Sequence, residues 1–174
     1  MRVLYSDDEE FDGRDVGIFL AGPTGVGAVI PSWRPVAIKI LEEAGFEGTV
    51  LVPERKDWSV QFDYTDQVSW ERAGLELASV IVFWVPRNME TMPALTTNVE
   101  FGYWVAKSPE RVLYGRPVGA ASTRYLDWLI SQENKDAVVY DDLNFLLLAA
   151  VCRAPDFKDE RTDETMDYSR LAFG

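Results

Sequence analysis

The sequence has no histidine and a single cysteine, Cys152. Catalysis by Ser-His-Asp or Cys-His groups is therefore excluded, and zinc and copper would lack their usual ligands. The cysteine lies in an apolar run, which is typical of a buried thiol in a reducing compartment. We predict no metal and no cofactor, and carboxylates are the obvious agents of any acid–base or nucleophilic chemistry.

Basic residues are also scarce, since 17 Lys and Arg against 29 Asp and Glu give a net charge of −12. This balance argues against a nucleic-acid polymer or an anionic membrane as partner, because both reward clusters of Lys and Arg. It leaves room for a small anionic ligand. No apolar run approaches about 20 residues, so no membrane span is expected. The acidic N-terminus is unlike a signal peptide, and we predict a cytoplasmic protein.

Short apolar runs alternate with amphipathic segments along a chain whose 174 residues suit one domain. Strands are predicted at 16–20, 48–52, 79–84, 111–114 and 137–140, and helices at 33–44, 66–78, 97–107, 121–133 and 142–152. Ser32 is the expected N-cap of the first helix. This alternation implies an α/β fold with a five-stranded, doubly wound parallel sheet and helices on both faces. The alternation does not give the strand order, and we expect 2-1-3-4-5 because it is the commonest order for five strands. The catalytic domain is placed at 16–153, between an acidic N-terminal segment, 1–15, and an acidic C-terminal tail, 154–174.

Ligands bind such sheets beyond the carboxyl ends of the strands. This rule selects the residues that follow each predicted strand: Gly22, Pro23, Thr24, Pro53, Glu54, Arg55, Pro86, Arg87, Thr97, Asn98, Glu100, Gly115 and Arg116. Most tryptophans should pack in the core, but Trp84 lies at a strand end, where it could stack on a planar base. Arg87 and Arg116 are candidates to face the pocket, whereas Arg34 is interpreted as a surface charge.

The segment 22–28 has the glycine spacing of a phosphate-binding loop, but Ala28 occupies the position of the required lysine. A nucleoside triphosphatase is therefore disfavoured. Two interpretations stay open, a flexible turn or a glycine-rich backbone surface close to a ligand, and we favour the second.

Thr97 and Glu100 have the spacing of a capping box, in which the glutamate bonds back to the start of its helix. This spacing alone favours a structural role. The same position also suits a nucleophile, because the helix dipole keeps a first-turn carboxylate ionised. Such a carboxylate could attack a sugar carbon, with a partner acid about 5 Å away. Glu71 could protonate or bond a leaving base, and Asp63 and Asp66 compete for that role.

Five segments together resemble the nucleoside 2-deoxyribosyltransferase-like family: 19–24, 52–54, 70–71, 83–87 and 96–102. The resemblance spans roughly residues 16–118 and implies a flavodoxin-like fold and cleavage of an N-glycosidic bond. It implies that Glu100 attacks the anomeric carbon and forms a covalent glycosyl-enzyme, and that Glu71 takes the place of an aspartate that contacts the nucleobase. It also implies that Gly22 and Pro23 line the pocket. Ala94 holds the approximate place of a sugar-contacting aspartate, which leaves the substrate open.

The predicted function is cleavage of the N-glycosidic bond of a (deoxy)nucleoside or nucleoside monophosphate, with the sugar passed to another base or to water. The predicted catalytic residues are Glu100 and Glu71, and the predicted substrate-binding residues are Gly22, Pro23, Thr24, Trp84, Arg87, Thr97, Asn98 and Gly115. The resemblance also implies a homo-oligomer. One alternative is a non-catalytic nucleotide or metabolite sensor or regulatory module. A weaker one is a protein–protein scaffold that works through its acidic tail.

Overall fold

The computed structural model describes residues 1–24, 30–57, 59 and 63–155. The strands in this part of the chain are β1 (Arg2–Tyr5), β2 (Gly17–Ala21), β3 (Thr49–Val52), β4 (Val80–Trp84), β5 (Val112–Gly115) and β6 (Val139–Tyr140). The helices are α1 (Arg34–Glu43), α2 (Tyr64–Leu77), α3 (Leu95–Lys107), α4 (Arg124–Glu133) and α5 (Leu143–Arg153). None of the helices within these ranges has the length and apolar character needed to cross a membrane.

The strands form one parallel sheet in the order β1-β3-β2-β4-β5-β6. The predicted α/β class, parallel sheet and relative order of five strands are confirmed. The predicted count is wrong by one, because Arg2–Tyr5 adds an edge strand that pairs with β3 in the register Arg2↔Thr49 to Tyr5↔Val52. Ser6 continues this contact and donates its backbone N–H to the carbonyl of Glu54 at 2.9 Å.

Both faces of the sheet are covered, which explains the continuous apolar strands. Along β4, Ile81 and Phe83 face the layer of α2, α3 and α4, whereas Val80 and Val82 face the layer of α1 and α5. Successive side chains of a strand point to opposite faces, so one short run supplies two cores. The chain leaves β2 and β4 on opposite sides of the sheet, and this switch places a crevice beyond their carboxyl ends.

Two local expectations are wrong. Cys152 is exposed on the outer face of α5 rather than buried, because the apolar run there winds as a helix with only one face on the sheet. The N-cap position of α1 belongs to Trp33, one residue after Ser32, although Ser32 Oγ accepts from the backbone N–H of Arg34 at 3.1 Å. The glycine-rich segment 25–29 and most of the predicted tail, from residue 156 onwards, lie outside the described residues.

Candidate active site

A cavity of about 620 Å³ lies beyond the carboxyl end of β2, between α2 and α3. Its wall comes from the end of β2 with the loop that follows, from one face of α2 and from the first turns of α3. Apolar and aromatic side chains supply much of this wall: Phe19, Tyr64, Val68, Leu75, Leu95, Val99, Tyr103 and Trp104. The volume and the apolar character suit a small-molecule ligand held by a few polar groups.

Six of the predicted site residues line this cavity: Gly22, Pro23, Thr24, Glu71, Thr97 and Glu100. The other four, Trp84, Arg87, Asn98 and Gly115, do not. Trp84 is 6% exposed and packs in the core layer beneath α1 and α5, on the opposite face of the sheet. A Cβ at Gly115 would lie 3.0 Å from the Trp84 ring, so tight packing explains this glycine.

Arg87 and Asn98 bond to each other through their side chains, and Arg87 Nη1 donates to the carbonyl of Ser122 at 2.8 Å. These contacts tie the segment before α3 to the segment before α4. Arg116 forms an ion pair with Asp127 at 2.7 Å. The arginines that follow β4 and β5 therefore connect their loops to neighbouring structure, Arg87 to α3 and to the segment before α4, and Arg116 to α4.

The helix that carries Glu100 begins three residues earlier than the capping-box interpretation requires, since that interpretation places the N-cap at Thr97. Ala94 is the N-cap of α3, with the left-handed dihedrals φ 58° and ψ 43° and with no side-chain cap bond. Glu100 is therefore in the second turn, and the capping-box interpretation is wrong. The Thr97-x-x-Glu100 spacing also occurs inside a helix, and the turn at Ala94 sets the actual start. Among the described residues, none donates a hydrogen bond to the Glu100 carboxylate.

The surroundings of Glu100 favour its protonated form. Its pKa is raised to about 7, mainly by burial and also by the charge of Glu71, while the charge of Arg34 opposes the rise in part. The expectation that the helix dipole keeps Glu100 ionised is therefore wrong, because a second-turn carboxylate is too far from the helix end. Burial also raises the pKa of Glu71, against a hydrogen bond from Gln67 and the charge of Arg34. Two carboxyl groups in one apolar cavity thus titrate above their ordinary range, which is typical of acid–base sites.

Gln67 and Arg55 hold Glu71 in place. Gln67 Nε2 donates to Glu71 Oε1 at 2.9 Å, and Gln67 Oε1 accepts from Arg55 Nε at 3.1 Å and Nη2 at 2.9 Å. Of the rival carboxylates, Asp63 caps α2 by accepting from the N–H of Thr65 at 2.7 Å. Neither Asp63 nor Asp66 lines the cavity.

Arg34 lines the cavity and is buried, so the interpretation of this residue as a surface charge is wrong. Its side chain is 1% exposed and ion-pairs with Glu54 at 2.7 Å. It also donates to the carbonyls of Leu20 at 3.0 Å and Gly22 at 2.7 Å, and to Thr24 Oγ1 at 3.1 Å. The guanidinium therefore fixes the loop after β2, which forms one wall of the cavity. The sequence contained one indication of this role for Arg34. Glu54 lies at the end of the neighbouring strand, and a carboxylate that is buried there needs a cation as partner.

Gly22 is required where β2 turns into this loop. Its φ is 142°, and a Cβ there would lie 2.2 Å from the carbonyl oxygen of Trp84. Trp33 holds the next residue, since its Nε1 donates to the Pro23 carbonyl at 3.2 Å. The Arg34 guanidinium lies 4.9 Å from the centre of the Trp33 ring. Both backbone and side chains thus determine the shape of this wall.

Comparison with known proteins gave one family match. A protein-family model described as nucleoside 2-deoxyribosyltransferase like matches residues 15–117, which is more than half of the chain. The matched range runs from β2 to β5 and contains every residue that lines the cavity. A search of curated proteins found no match. Within the described ranges, no group of His, Cys, Asp and Glu side chains could hold a metal ion. The chain belongs to the nucleoside 2-deoxyribosyltransferase-like family, and this membership supports a nucleoside-handling role.

Proposed function

We propose that the protein cleaves the N-glycosidic bond of a (deoxy)nucleoside or nucleoside monophosphate, with Glu100 as nucleophile and Glu71 as the acid that protonates the leaving base. The observation that carries this proposal is that both carboxyl groups line one largely apolar cavity and have raised pKa values. Apolar surroundings keep a carboxylic acid protonated near neutral pH, so that it can donate a proton.

The reaction has two steps. A carboxylate oxygen of Glu100 attacks C1′ of the sugar, the C1′–N bond breaks, and its electron pair leaves with the base, which takes a proton from Glu71. The product is a glycosyl ester on Glu100. In the second step Glu71, now ionised, takes a proton from water or from an incoming base, whose oxygen or nitrogen attacks C1′ and releases the Glu100 carboxylate.

Burial raises the pKa values of both Glu100 and Glu71, and the charge of Glu71 also raises that of Glu100, so the two carboxyl groups compete for a proton. The mechanism needs this proton on Glu71. A bound substrate favours that arrangement, since a ring nitrogen of the base accepts a hydrogen bond from protonated Glu71. Positive charge that develops at C1′ favours ionised Glu100. The two groups titrate as a pair, so the pH profile reports on both.

Release of free base from a panel of deoxynucleosides, ribonucleosides and their monophosphates is the direct test. Glu100→Gln should lower the rate at least roughly a thousandfold, because the nucleophile is lost. Glu71→Gln should lower it roughly 10²- to 10⁴-fold, as expected when a general acid is removed. Glu90→Gln, at an exposed position before α3, is the matched control and should retain full activity.

A 2-deoxy-2-fluoro nucleoside slows the second step and should leave a sugar adduct that peptide mass spectrometry locates on Glu100. An adduct elsewhere, or unchanged base release in Glu100→Gln, would refute the assignment. Binding of nucleosides without release of base from any of them would instead favour the regulatory module. Light scattering of the same samples tests the predicted homo-oligomer.

A further inference from the structure

The hydrogen bond between Gln67 and Glu71 bears on which of the two Glu71 oxygens carries the proton. Both residues lie on the cavity face of α2, four positions apart, and both line the cavity. Residues at this spacing are neighbours on a helix surface. Gln67 is therefore in position to act on Glu71 through a direct contact between their side chains.

Arg55 determines which end of the Gln67 amide faces Glu71. Two N–H groups of its guanidinium, on Nε and Nη2, donate to the single oxygen Gln67 Oε1. A turned amide would put its own N–H groups against those donors, so only one orientation satisfies both partners. The amide nitrogen of Gln67 is then directed at Glu71, and it donates to Oε1 at 2.9 Å.

An oxygen that accepts this hydrogen bond is the carbonyl-like oxygen of a protonated carboxyl group. The proton of Glu71 then lies on the other oxygen, Oε2. The amide also separates Glu71 from the Arg55 charge. A direct arginine–carboxylate pair would lower the pKa of Glu71 and prevent it from acting as an acid at neutral pH.

We propose that Gln67 is a positioning residue, which Arg55 holds so that Oε1 of Glu71 accepts its amide N–H and Oε2 carries the proton toward the leaving base. This inference rests on the proposed function in that the base receives the proton. The arrangement at Glu71 itself can be measured without any substrate.

Gln67→Met is the test variant, because methionine has a similar length and flexibility but no amide. Loss of a hydrogen bond to the ionised carboxylate should raise the titration midpoint of Glu71 by about one pH unit. The midpoint is read from the carboxyl resonance of ¹³C-labelled glutamate, assigned through Glu71→Gln. Less negative charge on Glu71 should lower the midpoint of Glu100 at the same time.

The pH profile of base release separates positioning from simple loss of structure. In Gln67→Met the alkaline limb of the kcat/KM profile should move to higher pH and the acidic limb to lower pH, so that the profile broadens. Its maximum should fall about tenfold while KM changes less than twofold, because the proton is no longer directed at the base. Gln132→Met, at an exposed position on α4, is the control and should leave every readout unchanged.

Arg55→Met provides a second variant if Gln67→Met does not fold. The released amide can turn its oxygen to Glu71, which favours the protonated acid and again raises the midpoint. The positioning role would be overturned if the titration midpoint of Glu71 in the folded variants stayed within about 0.3 pH unit of wild type. It would also be overturned if that midpoint moved while the pH profile of base release stayed unchanged. If the Glu71 midpoint moves but the wild-type protein releases no base from any substrate, the interaction between Gln67 and Glu71 is supported and the proposed function is refuted.

Discussion

Replacing Glu100 by glutamine is expected to stabilise the protein at alkaline pH and to leave its stability unchanged at acidic pH. The pKa of this group rises from its ordinary value of 4.5 to about 7, mainly through burial. The folded state therefore favours the protonated form, and the unfolded chain does not. Stability from this group is fully present below pH 4.5 and is lost as the pH rises to about 7.

A rise from 4.5 to about 7 corresponds to about 3 kcal/mol of destabilisation above pH 7. Partial exposure of Glu100 reduces this figure through solvent screening, so we expect about 1–3 kcal/mol. Glutamine has a similar shape and no charge, and Glu100→Gln should unfold at a higher urea concentration than wild type at pH 8. For a chain of this length the gain corresponds to roughly 3–10 °C in Tm.

Urea titrations followed by tryptophan fluorescence at pH 4.5, 6 and 8 measure this difference. The gain should be absent at pH 4.5, intermediate at pH 6 and complete at pH 8. Glu90→Gln, which removes an exposed carboxylate, should stay within about 0.5 kcal/mol of wild type throughout. A gain of the same size at all three pH values, or none at pH 8, would refute the reasoning that burial of this carboxylate costs stability.

Three other substitutions test the wall of the site and the fold. Gly22→Ala should cost at least about 2 kcal/mol in urea unfolding, because its Cβ would lie 2.2 Å from the Trp84 carbonyl oxygen; a neutral effect would contradict this close approach. Arg34→Met should cost about 3–5 kcal/mol at neutral pH, since Glu54 would stay buried without its cation, and a calorimetric loss below 1 kcal/mol would argue against a buried pair. Asp142→Ala removes the N-cap of α5 and should lower the free energy of unfolding by about 1 kcal/mol, with a corresponding fall in Tm. An unchanged Tm would show that the cap does not contribute to stability.

The alternation of apolar runs and helical segments was sufficient to predict the class of fold, whereas the relative order of five strands came from the commonest topology for such a sheet. Four of them, β2 to β5, are buried on both faces, so their sequences are largely apolar. The edge strand Arg2–Tyr5 was not predicted, because it has four residues and only one of them, Leu4, is buried. An edge strand is held by backbone hydrogen bonds to one neighbouring strand, so its own sequence need not show a distinctive apolar pattern.

Within the site, the strand-end rule and the family resemblance selected Glu71 and Glu100. They could not give the protonation states, because burial depends on packing between two helices distant in sequence. The role of Arg34 was inaccessible for the same reason, since its partners Leu20, Thr24 and Glu54 come from separate segments. Local spacing suggested a cap at Thr97, but a left-handed residue outside the pattern, Ala94, decided where the helix starts.

The first eight residues act as a clasp on the loop that follows β3. Ser6 bonds to Glu54 through the backbone, Asp7 accepts from the N–H of Lys56 at 3.1 Å, and Asp8 pairs with the Lys56 ammonium at 2.6 Å. The backbone bond from Ser6 fixes the chain at Glu54, the carboxylate that ion-pairs with Arg34. A protein shortened by these residues would lose this hold on Glu54, although no residue of the clasp lines the cavity. The N-terminal segment is thus connected, through Glu54 and Arg34, to the loop that forms one wall of the site.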